Sequence, residues 1–223
     1  MIKFNDIIGD MLEIPYFEIK SGKVYKIIFH SATEKNEFID LVMGIKAPKK
    51  GEISLFDKDM AKMKRDVYYN AMKKLALIWE NGGVISNLKV WENIALPLWF
   101  HNGIKPAAIE ERVIKFYKNF YMDVSFLSDY MGRLPGTLPA FDKRLICLIR
   151  SFLMEPELIV YDDIFTGIKM DRAEKLMEAT EGFHRENPHR TSVYLASTLE
   201  SLKDIKADYN IFPEEKGFKI WRS

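Results

Sequence analysis

The chain has 223 residues, which is enough for one domain with a sizeable core and an added subdomain. Hydrophobic residues make up 48% and charged residues 29%, as in ordinary globular proteins, and 33 Lys+Arg against 32 Asp+Glu leave a net charge of +1. This balance gives no indication of a nucleic-acid partner, and the lack of apolar runs near ~20 residues predicts a cytoplasmic protein that does not itself span a membrane.

The first quarter of the chain is predicted to consist of strands and one strand–turn–helix unit. Runs of β-branched and aromatic residues predict four strands, at 2–4, 16–19, 24–29 and 51–55. Residues 30–37 form a tight turn between the third and fourth strands, and apolar residues at helical spacing follow it. Gly44 and Pro48 are typical stop signals for that helix.

A short apolar run, Leu158–Tyr161, is bounded by Pro156 on one side and by two carboxylates on the other. Its length and composition predict a buried parallel strand. Asp162 and Asp163 at its end would lie where open α/β sheets bind their ligands. Further elements are predicted around it: helices at 104–134, 141–154 and 170–184, and a strand at 192–196.

Five segments, in this order and at this spacing, resemble the ATP-binding domain of ABC transporters. They are the turn and helix ending at Gly44, MGIKAPKKGEISLFDKD, LIWENGGVISNLKVWENIALPL, LPGTLPAFDKRLICLIRSFLMEPELIVYDDIFTGI and SVYLASTLESLKDIKADYNI. The resemblance implies an α/β fold, the P-loop NTPase three-layer sandwich of ABC ATPase type with an inserted helical subdomain. It implies a single domain over 1–223, with its core at 1–84 and 147–223 and the helical subdomain at about 85–146.

The P-loop that the resemblance implies is eroded. Lys35 falls on its lysine, but its three glycine positions hold larger residues: Phe29, Ala32 and Glu34. Glycine is needed there because the backbone turns through positive φ and must approach the phosphates closely. Asn36 replaces the hydroxyl that would bind Mg²⁺.

The start of this helix carries its own anions. Ser31-x-x-Glu34 fits a capping box, which satisfies orphan N–H groups without a ligand. Glu34 and Glu37 flank Lys35 where phosphate charge would sit, and an anion at a helix N-terminus contributes ~0.3–1 kcal/mol at exposed sites. Because these carboxylates would also repel a triphosphate, we expect the helix to cap itself. The alternative is that tight ATP binding is retained.

Other motif positions of the family are also changed. The chain contains no glutamine, so Glu80 stands on the Q-loop glutamine, and Thr198 stands on the switch histidine. The signature motif, which in the family contacts the γ-phosphate held by the partner subunit, corresponds to Leu138, Pro139, Ala140, Phe141 and Asp142. Its proline lacks an N–H, and its phenylalanine is bulky where glycine is expected.

Two acids of the family pattern remain. Asp162 matches the Walker B aspartate, an implied Mg²⁺ ligand, and Asp163 occupies the catalytic glutamate position with a side chain one methylene shorter. Three interpretations of Asp163 stay open: an active base, a relic of one, or part of a solvated strand end. Its shorter side chain argues against an active base, because positioning errors near ~1 Å can lower rates ~10²-fold. The resemblance implies ATP and Mg²⁺ as cofactors, and it implies that Lys35, Asn36, Glu37, Glu80 and Asp162 bind them. The eroded motifs argue against this binding.

The resemblance also implies a peripheral position on the cell membrane through a permease subunit. With eroded motifs, we expect a non-hydrolysing or weakly active subunit that forms a homodimer, or a heterodimer with an ABC ATPase. Two alternatives stay open: a functional ATPase of phospholipid or lipoprotein transport with divergent catalytic residues, and a freestanding non-catalytic scaffold. WENIALPL resembles the lipid-handling branch, including the Mla phospholipid systems, and the apolar stretch Leu96–Phe100 is either a partner site or core.

Overall fold

The computed structural model describes residues 1–102, 106–119, 127–214 and 217–222, so parts of the predicted helical stretch at 104–134 lie outside the described residues. Within these ranges there are ten strands: β1 (Ile2–Ile8), β2 (Glu13–Ile19), β3 (Val24–Ile28), β4 (Lys50–Leu55), β5 (Lys58–Asp59), β6 (Leu75–Ile78), β7 (Leu158–Asp162), β8 (Thr191–Ala196), β9 (Tyr209–Glu214) and β10 (Gly217–Arg222). The same ranges contain seven α-helices: α1 (Ala32–Val42), α2 (Arg65–Met72), α3 (Val90–Asn102), α4 (Pro106–Asn119), α5 (Leu127–Met131), α6 (Ala140–Phe152) and α7 (Met170–Arg185). In the described part of the chain, none of the helices combines the length and apolar character needed to cross a membrane.

The chain divides into two compact units. The first unit comprises Met1–Ala76, Glu157–Asp163 and Asn187–Ser223, and the second comprises Leu77–Pro156 and Ile164–Glu186. The boundaries predicted from the sequence for a core and a helical subdomain stay predictions.

The strands form two sheets. A four-stranded antiparallel sheet has the order β2-β1-β4-β5, and a six-stranded sheet has the order β10-β9-β3-β8-β7-β6. In the larger sheet β3, β7, β8 and β9 pair in parallel, whereas β10 runs antiparallel to β9. Every residue of β7 and β8 is buried, which is typical of parallel strands covered on both faces.

Aromatic packing holds α1 in the core of the first unit. The ring of Phe38 lies 5.4 Å from the ring of Phe4 and 5.4 Å from that of Phe29, measured between centroids. Fully burying a side chain of this size stabilises a fold by about 1.5–3 kcal/mol. The helix, and the residues at its start, are therefore firmly positioned.

The carboxyl ends of three neighbouring strands meet beside the start of α1. The N–H of Phe29, after β3, donates to the carbonyl of Ala196 at 2.8 Å, and the N–H of Asp163, after β7, donates to that of Leu195 at 2.9 Å. These strand ends are where open α/β sheets bind ligands, so the fold places Asp162 and Asp163 where the sequence predicted them.

α1 begins at Ala32, directly after Ser31, which the sequence predicted as its cap. The apolar stretch Leu96–Phe100 belongs to α3, which contains Pro97. Leu98 of this stretch is fully buried, whereas Phe100 is 80% exposed, so the stretch contributes both core and surface.

Candidate functional site

Lys35 is enclosed between the two aspartates that follow the apolar part of β7. Its Nζ lies 2.6 Å from Oδ1 of Asp162 and 3.1 Å from Oδ2 of Asp163. Lys35 is 3% exposed, and the aspartates are 5% and 8% exposed. The interpretation of Asp163 as part of a solvated strand end is therefore wrong, since both acids belong to a buried ion cluster.

The cluster favours the charged form of Lys35. Burial lowers the pKa of the ammonium, but its hydrogen bond to Asp162 and the negative charges of Asp162 and Asp163 raise it more, so the pKa lies above its usual value of 10.5. A charged partner is required here because an unpaired ion in such a buried place is strongly unfavourable.

The backbone after β7 supports this pairing. Asp163 has φ of 48°, in the left-handed region that aspartate tolerates better than most residues. The N–H of Ser197, after β8, approaches Oδ2 of Asp163 at 3.4 Å. The carboxylate is thus held by contacts from α1 and from the neighbouring strand end.

The start of α1 is capped by its own side chains, as the sequence predicted. Oγ of Ser31 accepts a hydrogen bond from the N–H of Glu34 at 3.2 Å. The carboxylate of Glu34 accepts from the N–H of His30 at 3.1 Å, one residue before the position that a capping box reaches. Asn36, on the next turn, is exposed.

Glu37 does not lie at the helix N-terminus with Glu34, which corrects the sequence-based expectation. Its buried carboxylate points to the turn between β1 and β2 and accepts hydrogen bonds from three successive N–H groups, those of Asp10, Met11 and Leu12, at 2.5, 2.7 and 2.9 Å. This contact was not predictable from local sequence, because Glu37 and the turn are separated by 25 residues or more.

The position of the switch histidine is occupied by a threonine on the surface. Thr198 is exposed, and its Oγ1 lies 3.2 Å from Oγ of Ser201. The hydroxyl is therefore engaged in a local contact in the turn after β8.

In the second unit, the residue on the Q-loop position is held through its backbone. The side chain of Glu80 is exposed, and its carbonyl accepts a hydrogen bond from Nε of Arg144. Nη1 of Arg144 also donates to the carbonyls of Ile164, at 3.0 Å, and Thr166. Arg144 is buried, and the sequence interpretation overlooked it.

One sequence signal could have identified Arg144. It lies three residues after Phe141 and four before Leu148, so a helix places this cation on the same face as two apolar residues. A cation on the buried face of a helix needs hydrogen-bond acceptors, and carbonyl groups supply them here.

The signature positions around the start of α6 are covered only in part, since Pro139 and Ala140 are exposed. Leu138 and Phe141 are buried, and the guanidinium of Arg172 lies 4.8 Å from the centroid of the Phe141 ring. Pro139 occupies the N-cap without a capping side chain, and Ala140 is the first helical residue.

Asp142 lies in the first turn of α6. Burial raises the pKa of its carboxyl, and the nearby charge of Arg172 offsets part of that increase. An acid therefore occupies the helix start that in the family faces a phosphate.

No group of three or more His, Cys, Asp or Glu side chains within 1–102, 106–119, 127–214 and 217–222 is placed to hold a metal ion. Of the predicted nucleotide-binding residues, the structure brings Lys35 and Asp162 into direct contact. Asn36 and Glu37 lie on the same helix with their side chains directed elsewhere, and Glu80 belongs to the second unit.

Comparison with known proteins identifies the family. A sequence model of the ABC transporter family matches residues 12–166, which is more than half of the chain. The chain belongs to the ABC transporter family. Several solved ABC cassettes share the fold, among them a dimeric bacterial ABC transporter cassette with a TM-score of 0.84 and 16% identity, covering 100% of this chain and 98% of that one. The predicted fold class is confirmed.

Two ABC relatives show how far the similarity extends. The methionine import ATP-binding protein MetN of Chlamydia pneumoniae is 29% identical over 194 residues, 85% of this chain and 54% of that protein. The intermembrane phospholipid transport system ATP-binding protein MlaF of Haemophilus influenzae is 23% identical over 199 residues, 86% of this chain and 70% of that protein. This ABC chain therefore spans about half the length of the methionine import protein that it matches.

Proposed function

We propose that this chain is a subunit of ATP-binding type in an ABC transporter that neither binds ATP–Mg²⁺ tightly nor hydrolyses it. It pairs with itself or with an intact ABC ATPase and associates peripherally with a membrane permease. The observation that carries the proposal is the buried ion cluster, in which Lys35 is committed to Asp162 and Asp163 at 2.6 and 3.1 Å.

The residues at the site do not fit ATP–Mg²⁺. The lysine that would bind phosphate is neutralised by the acids that would hold the metal and activate water. ATP–Mg²⁺ would have to separate these contacts before its phosphate could pair with Lys35 and its metal with Asp162. We therefore assign no hydrolytic step to Asp163, and Asp162 acts as the counterion of Lys35.

Two of the signature positions, Phe141 and Asp142, support the same proposal. The family uses this segment to contact a phosphate, whereas here Phe141 lies beneath Arg172 and Asp142 adds negative charge. A carboxylate in that position would repel the γ-phosphate of a nucleotide held by a partner.

Pairing and permease association are proposed from the family alone. Dimeric cassettes are among the structures with the same fold, which supports a dimer. The relatives include both methionine import and phospholipid transport proteins, so the lipid-transport assignment stays a prediction.

The test is isothermal titration of the purified chain with ATP–Mg²⁺, followed by a steady-state assay of phosphate release. We expect no binding in the micromolar range and no sustained release, because the phosphate-binding lysine is occupied. Asp163→Asn is the control for contaminating ATPases, since it removes one negative charge and preserves the shape of the side chain.

Micromolar binding together with hydrolysis that is lost in Asp163→Asn would overturn the proposal in favour of a functional ATPase with divergent residues. Hydrolysis of equal rate in both proteins would identify a contaminant. Circular dichroism of both proteins checks that they are folded.

A further inference from the structure

The turn at residues 9–12, between β1 and β2, forms a concave set of backbone donors. The N–H groups of Asp10, Met11 and Leu12 converge on one carboxylate, and the N–H of Gly9 closes the turn on the carbonyl of Leu12 at 2.8 Å. Successive N–H groups in a turn form anion-binding cavities of the kind that hold phosphates in other proteins. We call this feature the 9–12 cradle.

The anion in the cradle is the side chain of Glu37, which is 6% exposed. Its Oε1 accepts from Asp10, and its Oε2 accepts from both Met11 and Leu12. Hydrogen bonds from N–H groups to a carboxylate are roughly twice as strong as those between neutral groups. The Glu37 carboxylate is therefore held by the three N–H groups in the way that a bound anion would be.

Gly9 allows this close approach. A Cβ at residue 9 would lie 2.7 Å from Oε1 and 2.9 Å from Oε2 of Glu37, closer than non-bonded atoms come. Glycine permits a backbone to approach an anion in this way. The carboxylate thus rests directly against the main chain.

The surrounding charge also suits an anion. Nζ of Lys46 lies 3.7 Å from Oε1 of Glu37 and also contacts the carboxylate of Asp10. Nζ of Lys49 lies 2.7 Å from the same Asp10 carboxylate. The two lysines hold the Asp10 side chain, so the cradle itself contains a single carboxylate among the described residues.

We propose that the 9–12 cradle is a preformed site for a small oxyanion, and that Glu37 is the built-in anion that occupies it. Glu37 follows Lys35 and Asn36 along α1, so the side chain that fills the cradle starts from the helix where the family binds phosphate. The cradle holds a carboxylate from the chain itself and thereby excludes a free one. Its ligand class is a carboxylate or phosphate small enough to accept three N–H groups at once.

The test replaces the built-in anion by one from solution. In Glu37→Ala, formate and inorganic phosphate are titrated against chloride at constant ionic strength, and the melting temperature is followed. We expect either or both anions to raise the melting temperature of Glu37→Ala by several degrees and in a saturable way, because a ligand that binds only the folded state stabilises it. The wild-type protein is expected not to respond, since its cradle is full.

Glu34→Ala is the matched control, because Glu34 lies on the same helix and its carboxylate accepts one backbone N–H, that of His30. It is expected to respond like the wild-type protein. If Glu37→Ala responds to neither anion more than the wild-type protein does, or if Glu34→Ala responds equally, the proposal is overturned.

A second variant keeps the proposal testable if Glu37→Ala does not fold. In Glu37→Gln the amide has one acceptor oxygen in place of two, so the amide protons of Asp10, Met11 and Leu12 are expected to exchange with deuterium about tenfold faster or more than in the wild-type protein. Unchanged exchange at all three positions would overturn the proposal. These experiments contain no nucleotide, so their outcome is independent of whether the wild-type chain binds ATP.

Discussion

Lys35 stands where the sequence predicted the P-loop lysine, but its contacts are those of a residue that stabilises the fold. In a working P-loop its ammonium would be available to phosphates, whereas here it is 3% exposed and paired with two buried acids. Removing one member of a buried ion pair leaves the others uncompensated. The residue should therefore matter for stability in the absence of any nucleotide.

We predict that Lys35→Met lowers the free energy of unfolding by about 3–5 kcal/mol, because Asp162 and Asp163 then repel each other in a buried place. Urea unfolding followed by circular dichroism measures this difference. The control is Lys62→Met, since Lys62 pairs with Glu52 and Asp59 on the surface, where the loss should be within about 0.5 kcal/mol. Equal losses in the two variants would mean that the buried cluster has no special role.

The difference in stability between wild type and Lys35→Met should depend on pH. The pKa of Lys35 in the folded protein lies above its usual 10.5, so the unfolded chain loses this proton first as the pH rises. The stabilisation from the cluster is then fully present below pH 10.5 and is lost as the pH rises through the folded-state pKa. The difference in unfolding free energy between wild type and Lys35→Met should stay constant from neutral pH to about pH 10.5 and shrink above it.

At the residue scale, motif positions were predictable and their partners were not. The family resemblance, aligned from Gly44, identified Lys35, and the short apolar run predicted the strand that ends at Asp162 and Asp163. The contact of Glu37 with the 9–12 cradle depends on how a distant turn folds over α1. No local pattern encodes that approach, although Gly9 is a weak signal of it.

At the scale of elements, Arg144 joins three segments of the second unit. From the helix α6 it reaches the carbonyl of Glu80 and the carbonyls of Ile164 and Thr166. Guanidinium groups suit this task because their donors are fixed in one plane. Segments that carry nucleotide chemistry in the family are thus held to one another by a single buried cation.

We predict that Arg144→Lys lowers the free energy of unfolding by about 2–4 kcal/mol, because an ammonium keeps the charge but cannot reach all three carbonyls, and hydrogen bonds to charged groups contribute about 1.5–3 kcal/mol each. Amide exchange at residues 164–168 should accelerate at the same time. Lys143→Met, the adjacent position, is the control and should change neither quantity by much. A stable Arg144→Lys with unchanged exchange would contradict the role of this contact.

Many of the elements were predicted from the sequence, but the strands β5, β6, β9 and β10 were not. β7 and β8 follow from β-rich runs, α1 follows from its cap residue and apolar spacing, and α6 and α7 follow from apolar spacing alone. α3 was harder to predict because Pro97 lies inside it and apolar residues occur all around it. Its periodicity is therefore weak, and tertiary packing of Ile94 and Leu98 determines the helix.

At the scale of the whole molecule, each compact unit has one motif position whose side chain is held by contacts within the unit. In the first unit Lys35 pairs with Asp162 and Asp163, and in the second Phe141 is covered by Arg172. In the family a nucleotide contacts the P-loop of one subunit and the signature of the other. If Lys35 is held by its two aspartates and Phe141 is covered by Arg172, ATP has no contacts with which to link two copies of the chain.

We predict that the sedimentation coefficient of the chain does not change on adding ATP–Mg²⁺, whatever its resting oligomeric state. ADP–Mg²⁺ is the control for non-specific effects of nucleotide and metal, and analytical ultracentrifugation at several protein concentrations makes the measurement. An increase in the sedimentation coefficient that is specific to ATP would contradict the prediction. It would require Lys35 and Phe141 to leave their contacts within the chain.

The buried cluster at the end of β7 also changes how genetics on this chain should be interpreted. In an ordinary ABC subunit, a transport defect after replacing the P-loop lysine reports the loss of ATP turnover. Here the same replacement would reduce the amount of folded protein, so under the proposed function a transport defect would reflect degradation of the chain. Abundance has to be measured beside transport for variants of Lys35, Asp162 and Asp163, and a defect that follows abundance would identify them as part of the core.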